Sequence, residues 1–139
     1  MGINVKFVNN DKETDICLGI RKRVFVEEQN IPETIEMDDE WVRATYVCAI
    51  LDEEYVGTAR YRETSSGIKL ERFAVLKEQR GLGIGKTMVT FMLHNLDKDK
   101  NIYLHAQESV VGFYLLLGFK RVGDRFYEAD IPHWKMIKK

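Results

Sequence analysis

The chain has 139 residues, of which 45% are hydrophobic and 31% charged, a composition typical of one globular domain with a single core. Its 21 basic residues almost balance its 22 acidic residues, so no basic excess points to nucleic acid, and no apolar run is long enough for a membrane helix. The start lacks a signal-peptide pattern, and Cys17 and Cys48 lack the spacing of a metal site or disulfide framework, so we expect a metal-free cytoplasmic domain over residues 1–139 with two buried thiols.

The first predicted elements are a strand and an amphipathic helix. Residues 3–8, INVKFV, alternate apolar and polar side chains and predict the strand. Asp11 or Thr14 is the expected cap of the helix, which ends near residues 29–32. The acidic stretch ETIEMDDEW that follows indicates an irregular loop or a short helix.

Three strand-like runs then predict an antiparallel meander, and a glycine-rich stretch separates it from a second helix. The runs are ATYVCAIL, YVGTARYR and IKLERFAVL, and the helix is KTMVTFMLHNL. IYLHA follows as a short buried strand, and SVVGFYLLLGF predicts a short helix that Ser109 opens and Gly118 ends. The tail holds one or two further strands, so we expect a mixed α/β fold whose glycine-rich loop lies at a strand-to-helix junction where α/β sheets bind ligands.

The glycine-rich stretch EQRGLGIGKT, residues 78–87, is typical of a phosphate site. A P-loop of a nucleoside triphosphatase requires glycine where Arg80 stands, and the dinucleotide fingerprint requires glycine where Lys86 stands. The pattern that does fit is Arg80-x-x-Gly83-x-Gly85, in which the amides of a helix N-terminus bind an anion that glycines allow to approach closely. A diphosphate has the size and charge for such a loop.

The segments ERFAVLKEQRGLGIGK and GFYLLLGF resemble the two characteristic motifs of the GNAT N-acetyltransferases, and the order of elements agrees over nearly the whole chain. RVFVEEQNIP and LHAQESVVGFY resemble a branch of small bacterial GNAT proteins. The resemblance implies a mostly antiparallel sheet flanked by helices, with a V-shaped splay between its fourth and fifth strands. It also implies an enzyme that transfers an acetyl group from acetyl-CoA to a primary amine by direct attack in a ternary complex.

The resemblance further implies which residues bind the coenzyme. Its pantetheine pairs with the main chain around Phe73 to Val75, its diphosphate lies on the glycine loop, and its thioester end is flanked by Gln107 and Phe113. Many family members have asparagine at the position of that glutamine. These expected coenzyme-binding residues are Phe73, Ala74, Val75, Arg80, Gly81, Leu82, Gly83, Ile84, Gly85, Lys86, Gln107 and Phe113.

Acetyl transfer needs a proton donor for the leaving thiolate, and the resemblance assigns that role to Tyr114. The alternative for Tyr114 is an aromatic core residue. The backbone N–H near Val75 is the expected donor to the oxyanion. His105, in a buried strand, is either a proton relay or a hydrogen-bonded core histidine.

Glu71 is the expected proton acceptor, because several relatives place a glutamate there and a carboxylate on an apolar strand requires a partner or water. Alternation places it on one face of the strand with Phe73 and Val75. The alternative is an ion pair with Arg72 or Arg60.

The acceptor is inferred only from charge. Glu36, Asp38, Asp39 and Glu40, beside Trp41, form an acidic rim that we expect to attract a cationic amine such as a polyamine, an aminosugar or a lysine side chain. The alternative is a solvated acidic loop. A non-catalytic coenzyme A sensor is the competing function, and the apolar tail is compatible with a homodimer.

Overall fold

A computed structural model describes residues 2–37 and 43–138. Within these residues, the α-helices are α1 (Asp11–Arg21), α2 (Glu33–Glu36), α3 (Ile84–Asn95) and α4 (Val111–Leu116). The strands are β1 (Ile3–Phe7), β2 (Thr45–Leu51), β3 (Glu54–Thr64), β4 (Gly67–Val75), β5 (Ile102–Gln107), β6 (Phe119–Glu128) and β7 (Ile131–Lys138). In this part of the chain, no helix has the length and apolar character to cross a membrane.

The strands form one mixed sheet in the order β1-β2-β3-β4-β5-β7-β6, which confirms the predicted fold class. β1 pairs antiparallel with β2, and β7 pairs antiparallel with both β5 and β6. β4 and β5 are parallel, as a strand–helix–strand crossover requires.

The predicted splay lies where the parallel pairing ends. The register between β4 and β5 runs from Ile68 opposite Ile102 to Leu70 opposite Leu104. β4 then continues to Val75 and β5 to Gln107 beyond these pairs. The parallel pairs of β4 therefore end at Leu70, inside the strand.

The chain divides into two compact units. The first unit comprises residues 1–60 and 72–96, and the second comprises residues 61–71 and 97–139. β4 contributes to both units, because the division falls between Glu71 and Arg72.

In the first unit, α1 begins with a cap that differs from the prediction. The side chain of Asn10, rather than that of Asp11 or Thr14, accepts a hydrogen bond from the Glu13 amide at 2.8 Å. The buried Glu13 carboxylate in turn accepts hydrogen bonds from Lys6 at 2.8 Å and Tyr55 at 2.6 Å. These two donors lower the pKa of Glu13 to about 2, so the carboxylate stays charged and anchors α1 to β1 and β3.

The helix does not stop at Arg21 but continues as a π-helical segment, Lys22–Glu28. The amide of Gln29 donates to the carbonyl of Val24 at 3.1 Å, five residues earlier. Ile20, Val24 and Phe25 pack with Ala74 of β4 in the core. Cys17 and Cys48 are fully buried free thiols, as predicted.

In the second unit, β7 lies between β5 and β6, and α4 packs against β5 and β6. Ser109 lies in a 3-10 turn, Glu108–Val110, so the predicted opening of α4 at Ser109 is wrong; the helix begins at Val111. Gly118 ends it as predicted, with a φ of +91° that suits glycine.

Candidate functional site

The glycine loop of the first unit is open and has the expected left-handed geometry. Gly81 and Gly83 both have a φ of +84°, and Gly83 is the N-cap of α3. Apart from chain neighbours, no described heavy atom lies within 4 Å of the position that a Cβ would take at either glycine. The side chain of Leu82 is also exposed. The backbone of this loop is therefore accessible to a ligand.

The amides at the start of α3 are available to an anion. The first amides of an α-helix have no intrahelical acceptor, and the positive end of the helix dipole lies at the same place. Ile84 is only 2% exposed, so its side chain belongs to the core and only its backbone can contact a ligand. Gly85 and the exposed Lys86 complete the first turn. Loop geometry and charge fit a diphosphate here.

Arg80 has partners within the protein. Its two terminal nitrogens donate to the Glu28 carboxylate at 2.6 and 2.7 Å, and its Nε donates to the carbonyl of Val75 at 3.0 Å. The hydrogen bond to Glu28 raises the pKa of Arg80, and Arg80 lowers that of Glu28. Arg80 thus ties the glycine loop to the π-helical segment and to the end of β4, and Glu28 compensates much of its charge.

The end of β4 contains an irregularity that the sequence did not indicate. Arg72 has a φ of +59°, and this left-handed residue interrupts the alternation of the strand. The shared face expected for Glu71, Phe73 and Val75 therefore does not follow from alternation. Ala74 is buried in the core of the first unit.

Glu36 does not belong to an exposed acidic rim. It is 4% exposed, and its carboxylate accepts a hydrogen bond from Arg21 at 2.9 Å and lies 3.3 Å from the Nε of Arg72. Its carbonyl accepts a second bond from Arg21 at 2.8 Å. The rest of the predicted rim, residues 38–41, lies outside the described residues.

The second unit holds Tyr114, Phe113 and Gln107. Tyr114 is 6% exposed, and its ring contacts those of Phe113 and Phe119 at centroid distances of 5.0 and 5.7 Å. Burial raises the pKa of Tyr114, so its phenol is protonated far above neutral pH. Gln107 is the last residue of β5, and Phe113 is exposed on α4.

Glu71, also in the second unit, is buried against two cations. Its Oε2 accepts a hydrogen bond from Arg62 at 3.0 Å, and its Oε1 lies 3.5 Å from the Nζ of Lys69. Protonation of Glu71 would weaken both ion pairs. The ion-pair alternative thus describes Glu71 in this structure, with Arg62 and Lys69 as partners.

A second carboxylate, Glu128, was missed by the sequence analysis. Its Oε2 accepts a hydrogen bond from the Nδ1 of His105 at 2.9 Å, and its Oε1 lies 3.6 Å from the Nε2 of His133. His105 and Glu128 are 23 residues apart, so only the pairing of β6 with β7 and of β7 with β5 brings them together.

The comparisons with known proteins all point to one fold family. The model of the acetyltransferase (GNAT) domain matches residues 19–139, which include parts of both units. A Bacillus subtilis protein described only as a candidate acetyltransferase is 36% identical over 143 residues, covering 99% of this chain and 97% of that protein.

Two solved structures are similar over almost their whole lengths. The acyl-CoA N-acyltransferase of Pseudomonas aeruginosa has a TM-score of 0.86 and 26% identity, with 99% of each chain covered. ElaA of Escherichia coli has a TM-score of 0.85 and 27% identity, with 99% of this chain and all (100%) of that chain covered.

Proposed function

Because the chain belongs to the GNAT acetyltransferase family, we propose that it is an enzyme that transfers an acetyl group from acetyl-CoA to a primary amine. The observation that carries this proposal is the open N-terminus of α3, where Gly81 and Gly83 leave the backbone accessible. The acyl-CoA use stated in the name of the P. aeruginosa relative supports the choice of donor. In this proposal residues 1–139 act as one acetyltransferase domain.

The coenzyme's diphosphate is assigned to the amides of residues 81–86, with Lys86 as the nearby positive charge. Arg80 stabilises the conformation of the loop, because its side chain donates hydrogen bonds to Glu28 and to the carbonyl of Val75. The main chain of residues 73–75 binds pantetheine, as an added strand binds a sheet edge. Gln107 and Phe113 of the second unit bind the thioester end.

The bound coenzyme supplies an activated thioester. The amine nitrogen, after loss of one proton, attacks the carbonyl carbon, and the carbon–sulfur bond breaks with its electron pair on sulfur. The N–H near Val75 donates to the oxyanion. The phenol of Tyr114 donates a hydrogen bond to the leaving sulfur, and burial, which raises its pKa, keeps the phenol in the protonated form that this role requires.

The predictions for the acceptor remain proposals. We propose that the carboxylates at positions 38–40 attract a cationic amine. We also propose that the protein acts in the cytoplasm, either as a monomer or as a homodimer. Proton uptake by Glu71 remains a prediction, although its ion pairs with Arg62 and Lys69 oppose it.

Thiol release tests the function directly. The purified chain is mixed with acetyl-CoA and, in turn, spermidine, glucosamine or Nα-blocked lysine, and free coenzyme A thiol is followed with a chromogenic disulfide. We expect release that depends on one of these amines, with the acetylated product visible by mass spectrometry. Tight binding of acetyl-CoA in calorimetry without turnover on a wide amine panel would instead support a coenzyme A sensor.

Replacing Gly83 by alanine is expected to weaken coenzyme A binding about tenfold. A side chain at a φ of +84° costs about 1–2 kcal/mol, and the loop relieves this strain by leaving the ligand-binding conformation. The dissociation constant is measured by calorimetry.

Gly19→Ala is the matched control, because Gly19 lies in α1 with open space around it and a helical backbone. It should raise stability by about 1 kcal/mol and leave coenzyme binding unchanged. Equal dissociation constants for Gly83→Ala and wild type would contradict the loop assignment.

A further inference from the structure

His105 lies on a polar face of the sheet in the second unit. On β5, His105 and Gln107 are two residues apart and point to the same side. Lys135 of β7 lies opposite His105, and His133 lies opposite Gln107. Residues that are directly opposite in an antiparallel pair share a face, so these side chains form one surface.

The imidazole of His105 is held in one orientation. Its Nδ1 lies 2.9 Å from Glu128 Oε2, and its ring packs edge-on against Phe126 at 5.0 Å and tilted against Tyr103 at 5.9 Å. An ionised carboxylate can only accept a hydrogen bond, so Nδ1 carries the proton. In the neutral ring, Nε2 then has the lone pair. The side chain remains 25% exposed.

Glu128 stays ionised beside this imidazole. The hydrogen bond from His105 is the main cause that lowers the pKa of Glu128, and the positive charge of Lys69 acts in the same direction. A histidine whose Nδ1–H is bound by a carboxylate is a common arrangement for proton transfer at Nε2. The two groups therefore have the geometry of a histidine base and its orienting carboxylate.

From this geometry we propose that His105 takes the proton from the acceptor amine and that Glu128 is the positioning residue that holds its imidazole. The Nε2 lone pair removes one proton from the ammonium group of the acceptor, whose nitrogen then forms the bond to the acetyl carbon. A second amine proton ends on the coenzyme thiol, and the imidazolium releases the first proton to solvent. Donor, acceptor and protons then balance without a further reactant.

This inference rests on the proposed function, because Gln107 is the residue assigned there to the thioester end. His105 is two residues earlier on the same strand face, and two residues of a strand span about 7 Å. An amine that attacks a carbonyl beside Gln107 is therefore close to His105. Glu71 is less suited to the role, since proton uptake there disrupts its contacts with Arg62 and Lys69.

Several other charged or titratable groups affect the pH dependence of this cluster. They lie on five strands, His105's own strand β5 included: Arg62 on β3, Lys69 and Glu71 on β4, Tyr103 on β5, Glu128 on β6, and His133 and Lys135 on β7. The test consequently compares variants of single groups and keeps the rest of the cluster in place.

The test measures kcat from pH 5 to 9 with acetyl-CoA and the amine that the thiol assay identifies. For the wild type we expect kcat to fall as the pH decreases, because a protonated base cannot accept a proton. This fall is the acid limb of the pH profile. His105→Gln retains a donor to Glu128 but no base, so kcat should fall about 100-fold and the acid limb should disappear. His94→Gln, a change at an exposed histidine of α3 in the first unit, should leave both unchanged.

Glu128→Gln separates a positioning role from a structural one. A neighbouring carboxylate favours the protonated form of an imidazole, so removal of the carboxylate should move the acid limb to lower pH. A merely structural role would lower kcat without moving the limb.

Three results would overturn the proposal. In the first, the acid limb persists in His105→Gln. In the second, Glu128→Gln leaves the acid limb at the wild-type pH. In the third, the acid limb disappears in Glu71→Gln and not in His105→Gln. Absence of turnover in the wild type would overturn the proposed function together with this inference, whereas turnover with an unchanged limb would overturn the inference alone. Thermal melting of each variant shows whether a loss of activity comes from unfolding.

Discussion

Tyr114→Phe is expected to lower kcat about 100-fold or more while KM for acetyl-CoA changes little. The substitution removes only the hydroxyl that we assign to the leaving sulfur, and loss of such a donor typically costs two orders of magnitude or more. The phenylalanine ring retains the packing against Phe113 and Phe119. Stability should therefore fall by no more than about 1.5 kcal/mol, the contribution of one hydrogen bond.

Steady-state kinetics by thiol release measure kcat and KM, and thermal melting measures the change in stability. Tyr127→Phe is the matched control, because Tyr127 is 61% exposed on β6 and has no role in the proposed chemistry. It should have the kinetics of the wild type. A Tyr114→Phe enzyme with more than a third of the wild-type kcat would reduce Tyr114 to an aromatic core residue.

Glu36→Gln is expected to have the largest effect on stability, a decrease of about 3–5 kcal/mol in the free energy of unfolding. The carboxylate of Glu36 bonds to Arg21, whose side chain is 1% exposed, and lies close to Arg72. Removal of one charge from a buried ion pair leaves the other without full compensation, and that residual cost is large. A glutamine of the same size introduces no cavity, so the change isolates the charge.

Urea unfolding followed by circular dichroism measures the loss. Glu33→Gln, three residues earlier in α2, is the control, since Glu33 is 56% exposed and lies 3.7 Å from an exposed Lys22. It should cost less than about 0.5 kcal/mol. If Glu36→Gln costs as little as its control, other groups compensate the charge of Arg21.

The sequence predicted those features that depend on local residue types. The glycine loop was recognised because glycines that follow a strand and precede a helix favour left-handed backbone and exposed amides, and Gly81 and Gly83 have both. The order of elements was predicted for the same reason, since hydrophobic periodicity and turn residues act over a few positions. Gly118 at the end of α4 is a further example.

Features that depend on tertiary contacts were not predicted. Glu36 was interpreted as exposed because glutamates rarely lie in a core, yet Arg21 compensates its charge there. Arg72 is left-handed although arginine has no preference for that conformation. Glu28 is 52 residues from Arg80, and no local pattern links them. Each case requires knowledge of the partner, which only the folded chain supplies.

The widened turns between Lys22 and Glu28 affect more than the path of the backbone. A hydrogen bond between residues five apart encloses one residue more than the hydrogen bond of an α-helix. This extra residue sets the direction in which the following side chains, including Glu28, leave the helix axis. Shortening the segment by one residue would rotate Glu28 by about 100° around the helix axis and away from Arg80. We therefore expect insertions and deletions in this stretch to disturb the contact with Arg80 at the glycine loop, even though the two segments are distant in the chain.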